Sequence, residues 1–186
     1  MRGFVTIVSG VPRSGTSLLM QMLAAGGMPL LADEVRAADE DNPRGYYEYA
    51  PVMASARDAS WFDEARGRAV KVIHTLLPRL PEGDQVRVIL MRRDLSEVLR
   101  SQQKMLARRG GAPLEEKGLA AVFEAQLTRA REWAIERPRT ALLDLDYAVV
   151  IGDPAAAARR LDAFLGGGLD VAAMAACVDP ALYRSR

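Results

Sequence analysis

The chain has 186 residues, 49% of them hydrophobic, which is enough for one sizeable core and too few for two ordinary domains. Its 25 Lys and Arg nearly offset 24 Asp and Glu, giving a formal net charge of +1, so no global field favours nucleic acid or an anionic membrane surface. Cys177 is the only cysteine; that excludes an internal disulfide and a cysteine-built zinc site, and its alanine-rich surroundings mark a small buried hydrophobe.

The apolar run at Phe4 to Ser9 is too short for a signal peptide and ends at Gly10, Pro12 and Arg13, so it reads as a first, buried strand. No uncharged apolar run approaches the roughly 20 residues needed to span a bilayer. The expectation is a soluble, cytoplasmic protein. Ser17 to Ala25 carries Leu18, Leu19, Met22 and Leu23 on one helical face and stops at Gly26-Gly27. Pro29 to Tyr46 has no clear period and reads as a long loop crossing the top of the sheet, and long loops of this kind are often functional.

Tyr49 to Arg66 reads as a helix and Ala69 to Ile73 as a second strand. Val86 to Met91 is a third, its near-continuous apolar character suiting a strand covered on both faces. Asp94 caps the next helix, with Glu97 completing a variant capping box, and Gly110-Gly111 ends that helix near Arg109. Pro113 to Glu136 keeps helical spacing nearly throughout, Thr140 to Tyr147 reads as a fourth strand, and Pro154 to Leu165 as a helix stopped by Gly166 to Gly168. Strands alternating with helices predict an α/β three-layer sandwich around a central, mainly parallel sheet of four or five strands, P-loop NTPase-like.

Gly10-Val11-Pro12-Arg13-Ser14-Gly15-Thr16-Ser17 has the glycine spacing of a Walker A loop, between a predicted strand and helix. A Walker loop needs lysine directly after its second glycine, and here Thr16 stands there, which argues against a kinase or NTPase. The rest of the geometry survives: successive backbone N–H groups at a helix N-terminus form an anion cradle, with the hydroxyls of Ser14, Thr16 and Ser17 as further donors. Arg13 adds a permanent cation able to fork two donors onto an anion.

The wording Ser9 to Ser17 resembles the sulfotransferase superfamily, especially its bacterial and tyrosylprotein branches. The resemblance implies one sulfotransferase-like domain over 1–186. It also implies 3′-phosphoadenosine 5′-phosphosulfate (PAPS) as sulfuryl donor, adenosine 3′,5′-bisphosphate (PAP) as product, and a donor site at Arg13, Ser14, Gly15, Thr16 and Ser17. The family reads the donor's 3′-phosphate with an arginine at the end of a later strand and a serine eight residues on; Arg93 and Ser101 stand at that spacing.

Sulfuryl transfer relies on positioning and charge stabilisation and in principle needs no metal. Arg13 is the candidate for stabilising the leaving group. Two residues are candidates for the general base. Glu34 matches a Glu-x-Arg context of the tyrosylprotein branch, with Asp33 beside it. His74, the only histidine, lies in a stretch similar to the Lys-x-His-Leu-Pro of cytosolic members, though one residue farther from its lysine. Residues 39–48 are a candidate acceptor wall, and Tyr183, Arg184 and Arg186 a basic tail.

The family's Arg-Lys-Gly element is absent and the chain is short for the family, so a homodimer could complete the substrate site. The expected acceptor is a small molecule or a peptide, with neither nucleic acid nor membrane as partner. The rival readings are a P-loop nucleotide kinase or NTPase and a non-catalytic PAPS- or PAP-binding module.

Overall fold

A computed structural model describes residues 3–33, 35, 38–40, 42–108, 110–112 and 117–179. The apolar run after Phe4 forms β1 (Val5–Gly10), with all six residues buried, followed by α1 (Thr16–Ala25). After it come β2 (Leu30–Leu31), β3 (Ala69–Lys71) and β4 (Val86–Arg92), then α2 (Leu95–Arg108) and α3 (Leu119–Glu136). β5 (Thr140–Asp146), α4 (Tyr147–Gly152), α5 (Pro154–Phe164) and α6 (Val171–Ala176) complete the described elements.

The strands pair in the order β2-β3-β1-β4-β5, every pair parallel. β1 is central, and a central parallel strand is covered on both faces, which is why its sequence is continuously apolar rather than alternating. On one face Val8 and Ile89 pack with Leu19, Leu23, Leu161 and Met174. On the other, Ile7, Val70 and Val88 meet Trp61, Phe62, Leu77, Ala130 and Ala134. The result is a three-layer α/β sandwich, as expected from the alternation of elements.

Several boundaries differ from expectation. Tyr49 to Arg66 is not one helix but two 3₁₀ turns, Ala50–Ala54 and Ser60–Ala65. The second of these buries the adjacent pair Trp61 and Phe62, and Asp58 Oδ1 accepts from Ser60 N at 2.9 Å to start it. The long loop after α1 contains the two-residue strand β2, too short to carry a period. α3 begins at Leu119, behind Gly118 at φ 82°, and residues 113–116 lie outside the described residues. Asp94 does cap α2, accepting from Ser96 N at 2.8 Å and Glu97 N at 3.2 Å. Glu97 does not complete a capping box; its carboxylate pairs with Arg93 at 2.9 Å instead.

The connection leaving β1 runs toward the β2–β3 flank, and that leaving β4 runs toward β5. Adjacent parallel strands whose connections diverge open a crevice beyond their carboxyl ends, the usual ligand position in such sheets.

Candidate functional site: the β1–α1 loop and its cavity

The loop from Gly10 to Gly15 turns the chain from β1 into α1, and both glycines are required by their neighbours. A Cβ on Gly10 would lie 2.8 Å from the Met91 carbonyl oxygen; one on Gly15 would lie 2.5 and 2.8 Å from Tyr147 ring carbons. Gly15 also caps α1 at φ 105°, where a side chain is disfavoured. No side chain caps α1, so the amides of its first turn, at Thr16, Ser17 and Leu18, have no intrahelical acceptor and present the positive end of the helix dipole.

Beyond this turn lies a cavity of about 720 Å³ whose lining includes Arg13, Gly15, Thr16, Ser17, Arg93 and Ser101. Six of the seven residues expected to hold the donor therefore converge on one space. Arg13 Nε donates to Ser101 Oγ at 3.0 Å, and Arg93 Nη1 donates to the Arg13 carbonyl at 3.1 Å. Arg93 is held further by Glu97 and by the face of the Tyr147 ring, 4.3 Å from its guanidinium carbon. Burial pushes the Tyr147 phenol above its ordinary value, against the opposing pull of the Arg93 cation. Arg13 adopts φ 72°, an uncommon backbone for a non-glycine residue that tends to cluster at functional sites.

The opposite flank of the loop is built from the β3 side. Lys71, at the carboxyl end of β3, lies 3.4 Å from Ser17 Oγ, donates to the Tyr46 carbonyl and pairs with Glu48 at 3.5 Å. Asn42 Nδ2 donates to Ser17 Oγ at 2.9 Å, and Tyr46 OH bonds Asp39 Oδ1 at 2.7 Å. Glu40, Asn42, Pro43, Arg44, Tyr46 and Glu48 thus form one wall of the cavity, with Asn42 and Tyr46 bonded to Ser17 in the first turn of α1. Val35 and Met53, 79% and 72% exposed, supply an apolar rim on the same flank.

Two expected residues are not brought to the cavity. Ser14 is fully buried beneath the loop, and its hydroxyl finds no hydrogen-bond partner; of the three hydroxyl residues only Thr16 and Ser17 line the cavity, and Ser17 Oγ donates to the Tyr46 carbonyl at 3.3 Å. His74 opens the 3₁₀ turn His74–Arg79, is 3% exposed, and has both ring nitrogens engaged. Nδ1 lies 3.0 Å from the Gly10 carbonyl and Nε2 lies 2.8 Å from Gln126 Oε1. Ile73, one residue earlier, lines the cavity in its place.

Glu34 lies outside the described residues, as do Tyr183, Arg184 and Arg186; Asp33 and Val35, which flank Glu34, line the cavity. Asp33 commits its carboxylate to backbone amides, Val35 N at 3.1 Å and Ala50 N at 2.5 Å. Lys71 and Tyr147 were not singled out from sequence. A lysine closing a buried parallel strand was a usable signal for the first; Tyr147 had none, since its role depends on the contact with Gly15.

No protein-family model matches the sequence, and no curated protein matches it. Solved structures do. The sulfotransferase domain of the olefin synthase from Synechococcus PCC 7002 superposes with a TM-score of 0.58 at 17% identity, over 100% of this chain and 88% of that one. The sulfotransferase domain from the curacin biosynthetic pathway gives a TM-score of 0.54 at 14% identity, over 98% of this chain and 77% of that one. At these identities the likeness is one of fold: the chain has the α/β architecture of a sulfotransferase domain. Among the described residues no helix is long and apolar enough to cross a membrane.

Proposed function

We propose that the cavity binds PAPS and that the protein transfers its sulfuryl group to a hydroxyl or amine of a small-molecule or peptide acceptor, releasing PAP. The observation that carries this reading is the joining of two motifs far apart in sequence: Arg13 from the β1–α1 loop bonds Ser101 of α2, and Arg93 bonds the backbone of Arg13. A cation, a hydroxyl and a second cation then stand beside a helix N-terminus, a donor set suited to two separate anionic groups on one ligand.

In the proposed reaction the acceptor oxygen or nitrogen attacks sulfur, and the bond between sulfur and the bridging phosphate oxygen breaks. The charge that develops on that oxygen falls to Arg13 and the α1 amides, where fixed donors are worth most. The acceptor's proton goes to a carboxylate base, which we assign to Glu34; Asp33 is already tied to two amides. The acceptor enters from the β3 flank, where Lys71, Glu48 and the apolar rim of Val35 and Met53 lie.

Thermal unfolding with PAP, ATP and GTP tests the ligand class, since selective binding to the native state raises the melting temperature. PAP should raise it most. A rise with ATP alone would favour the triphosphate rival. Turnover of PAPS across phenol, alcohol, sugar and amine acceptors then tests catalysis, with Glu34→Gln expected to lose activity about 100-fold or more while keeping its PAP shift. Binding of PAP without sulfation of any acceptor would support a non-catalytic module.

A further inference from the structure

We infer that His74 is a positioning residue for the anion-binding loop, serving as a fixed Nδ1–H donor to the Gly10 carbonyl rather than as the general base. A carbonyl oxygen can only accept, so the 3.0 Å contact requires the proton to sit on Nδ1. The other nitrogen faces the Gln126 carboxamide at 2.8 Å, within the protein and away from the cavity lining. If the imidazole is neutral, Gln126 turns its amide N–H toward Nε2; if it is charged, the amide oxygen accepts. Neither state leaves a basic nitrogen facing an acceptor.

The Gly10 contact belongs to a wider pattern. Carbonyls through the loop are held from outside by side chains of separate elements: Gly10 by His74, Pro12 by Gln102 Nε2 of α2 at 3.3 Å, and Arg13 by Arg93 at 3.1 Å. The Val11 carbonyl accepts from Ser14 N at 3.1 Å inside the turn. In a trans peptide plane the C=O and the following N–H point in opposite directions. Fixing the Gly10 and Pro12 carbonyls therefore sets the direction of the Val11 and Arg13 amides, and both residues line the cavity. His74 is the β3-side member of this set, and Gln126 extends its support to α3.

His74 is the only histidine, so long-range 1H–15N spectra of the imidazole report on it alone. The expected result is a protonated, slowly exchanging Nδ1. A bare Nδ1 with the proton on Nε2 overturns the inference. A second arm measures PAP affinity, kcat and KM in His74→Phe and His74→Asn. His74→Phe removes the donor and should weaken PAP binding about tenfold, because the buried Gly10 carbonyl loses its partner. Asparagine places an N–H where Nδ1 stood, so His74→Asn should recover most of that lost affinity and show no separate fall in kcat. Unchanged PAP affinity in both variants, with kcat down about 100-fold or more in each, would make His74 the base and overturn the inference. This arm rests on the donor-site reading above. Failure of the wild type to bind PAP would count against that reading alone, and the tautomer would still decide the role of His74. Should His74→Phe fail to fold, His74→Asn and the spectra suffice.

Discussion

Gly15→Ala would probe the tightest point of the site. An alanine methyl there would lie 2.5 and 2.8 Å from Tyr147 Cδ2 and Cε2, well inside van der Waals contact, while the backbone sits at φ 105°. The left-handed backbone costs an L-residue about 1–2 kcal/mol. Tyr147 is only 8% exposed and packs in the core with Leu19, Met91 and Val150, so relieving the overlap means shifting a packed ring, at about 1–3 kcal/mol. The lower unfolded-state entropy of alanine returns about 0.4–1 kcal/mol. The net expectation is a loss of about 1–5 kcal/mol, read as a lower urea midpoint at unchanged m-value, with unfolding followed by fluorescence of buried Trp61. The double variant Gly15→Ala/Tyr147→Ala should be less unstable than the sum of its singles by more than about 1 kcal/mol, because the ring can clash only once. A single-variant loss under about 0.5 kcal/mol, or strict additivity in the double variant, would refute the account of Gly15 as a close-approach residue.

Three further perturbations have expected outcomes. Arg93→Ala removes the ion pair with Glu97 and the hydrogen bond to the Arg13 carbonyl, so unfolding should show a loss of about 1–3 kcal/mol. Adding Glu97→Gln should recover part of that stability but none of the PAP affinity, as calorimetry would read. Arg13→Gly relaxes the backbone at φ 72° while removing a cation of the cavity; stability should stay within about 1 kcal/mol of wild type as PAP binding weakens at least tenfold. Asp84 is held below the usual carboxylate range, first by its hydrogen bond from Arg66. A depressed folded value adds stability above the unfolded value near pH 4 that is lost as pH falls through the folded value. Asp84→Asn should therefore flatten the acid limb of the stability curve while costing only about 0.5 kcal/mol at neutral pH, since Arg66 is half exposed.

Much of this site was legible because its chemistry is local in sequence. A β-branched strand, a glycine-bounded turn and an apolar helical face fix the cradle by short-range rules, and Arg93 and Ser101 sit at a spacing that α2 brings onto one side of the cavity. What was not legible depends on contacts between segments. Tyr49 to Arg66 has a helix-like composition, yet it breaks into two 3₁₀ turns, the second bringing Trp61 and Phe62 into the core beside Val70 and Leu77, a long-range contact the local sequence does not announce. The hydroxyl of Ser14 looked equivalent to those of Thr16 and Ser17, but the left-handed Arg13 before it and Gly15 after it turn Ser14 into the interior. β2 and α6, two and six residues long, are too short for a period to distinguish them from loop.

Strand register explains why residues about 80 positions apart meet, and why His74 does not join them. Gly10, the last residue of β1, pairs with Met91 of β4, one residue before β4 ends at Arg92, so the following loops emerge side by side, with Arg13 three residues past Gly10 and Arg93 two past Met91. On the other side Val8 pairs with Lys71, the last residue of β3. Counting on by two places Ile73 level with Gly10, at the floor of the cavity, and His74 one step beyond. His74 opens the 3₁₀ turn His74–Arg79, and that turn carries the imidazole under the loop to the Gly10 carbonyl.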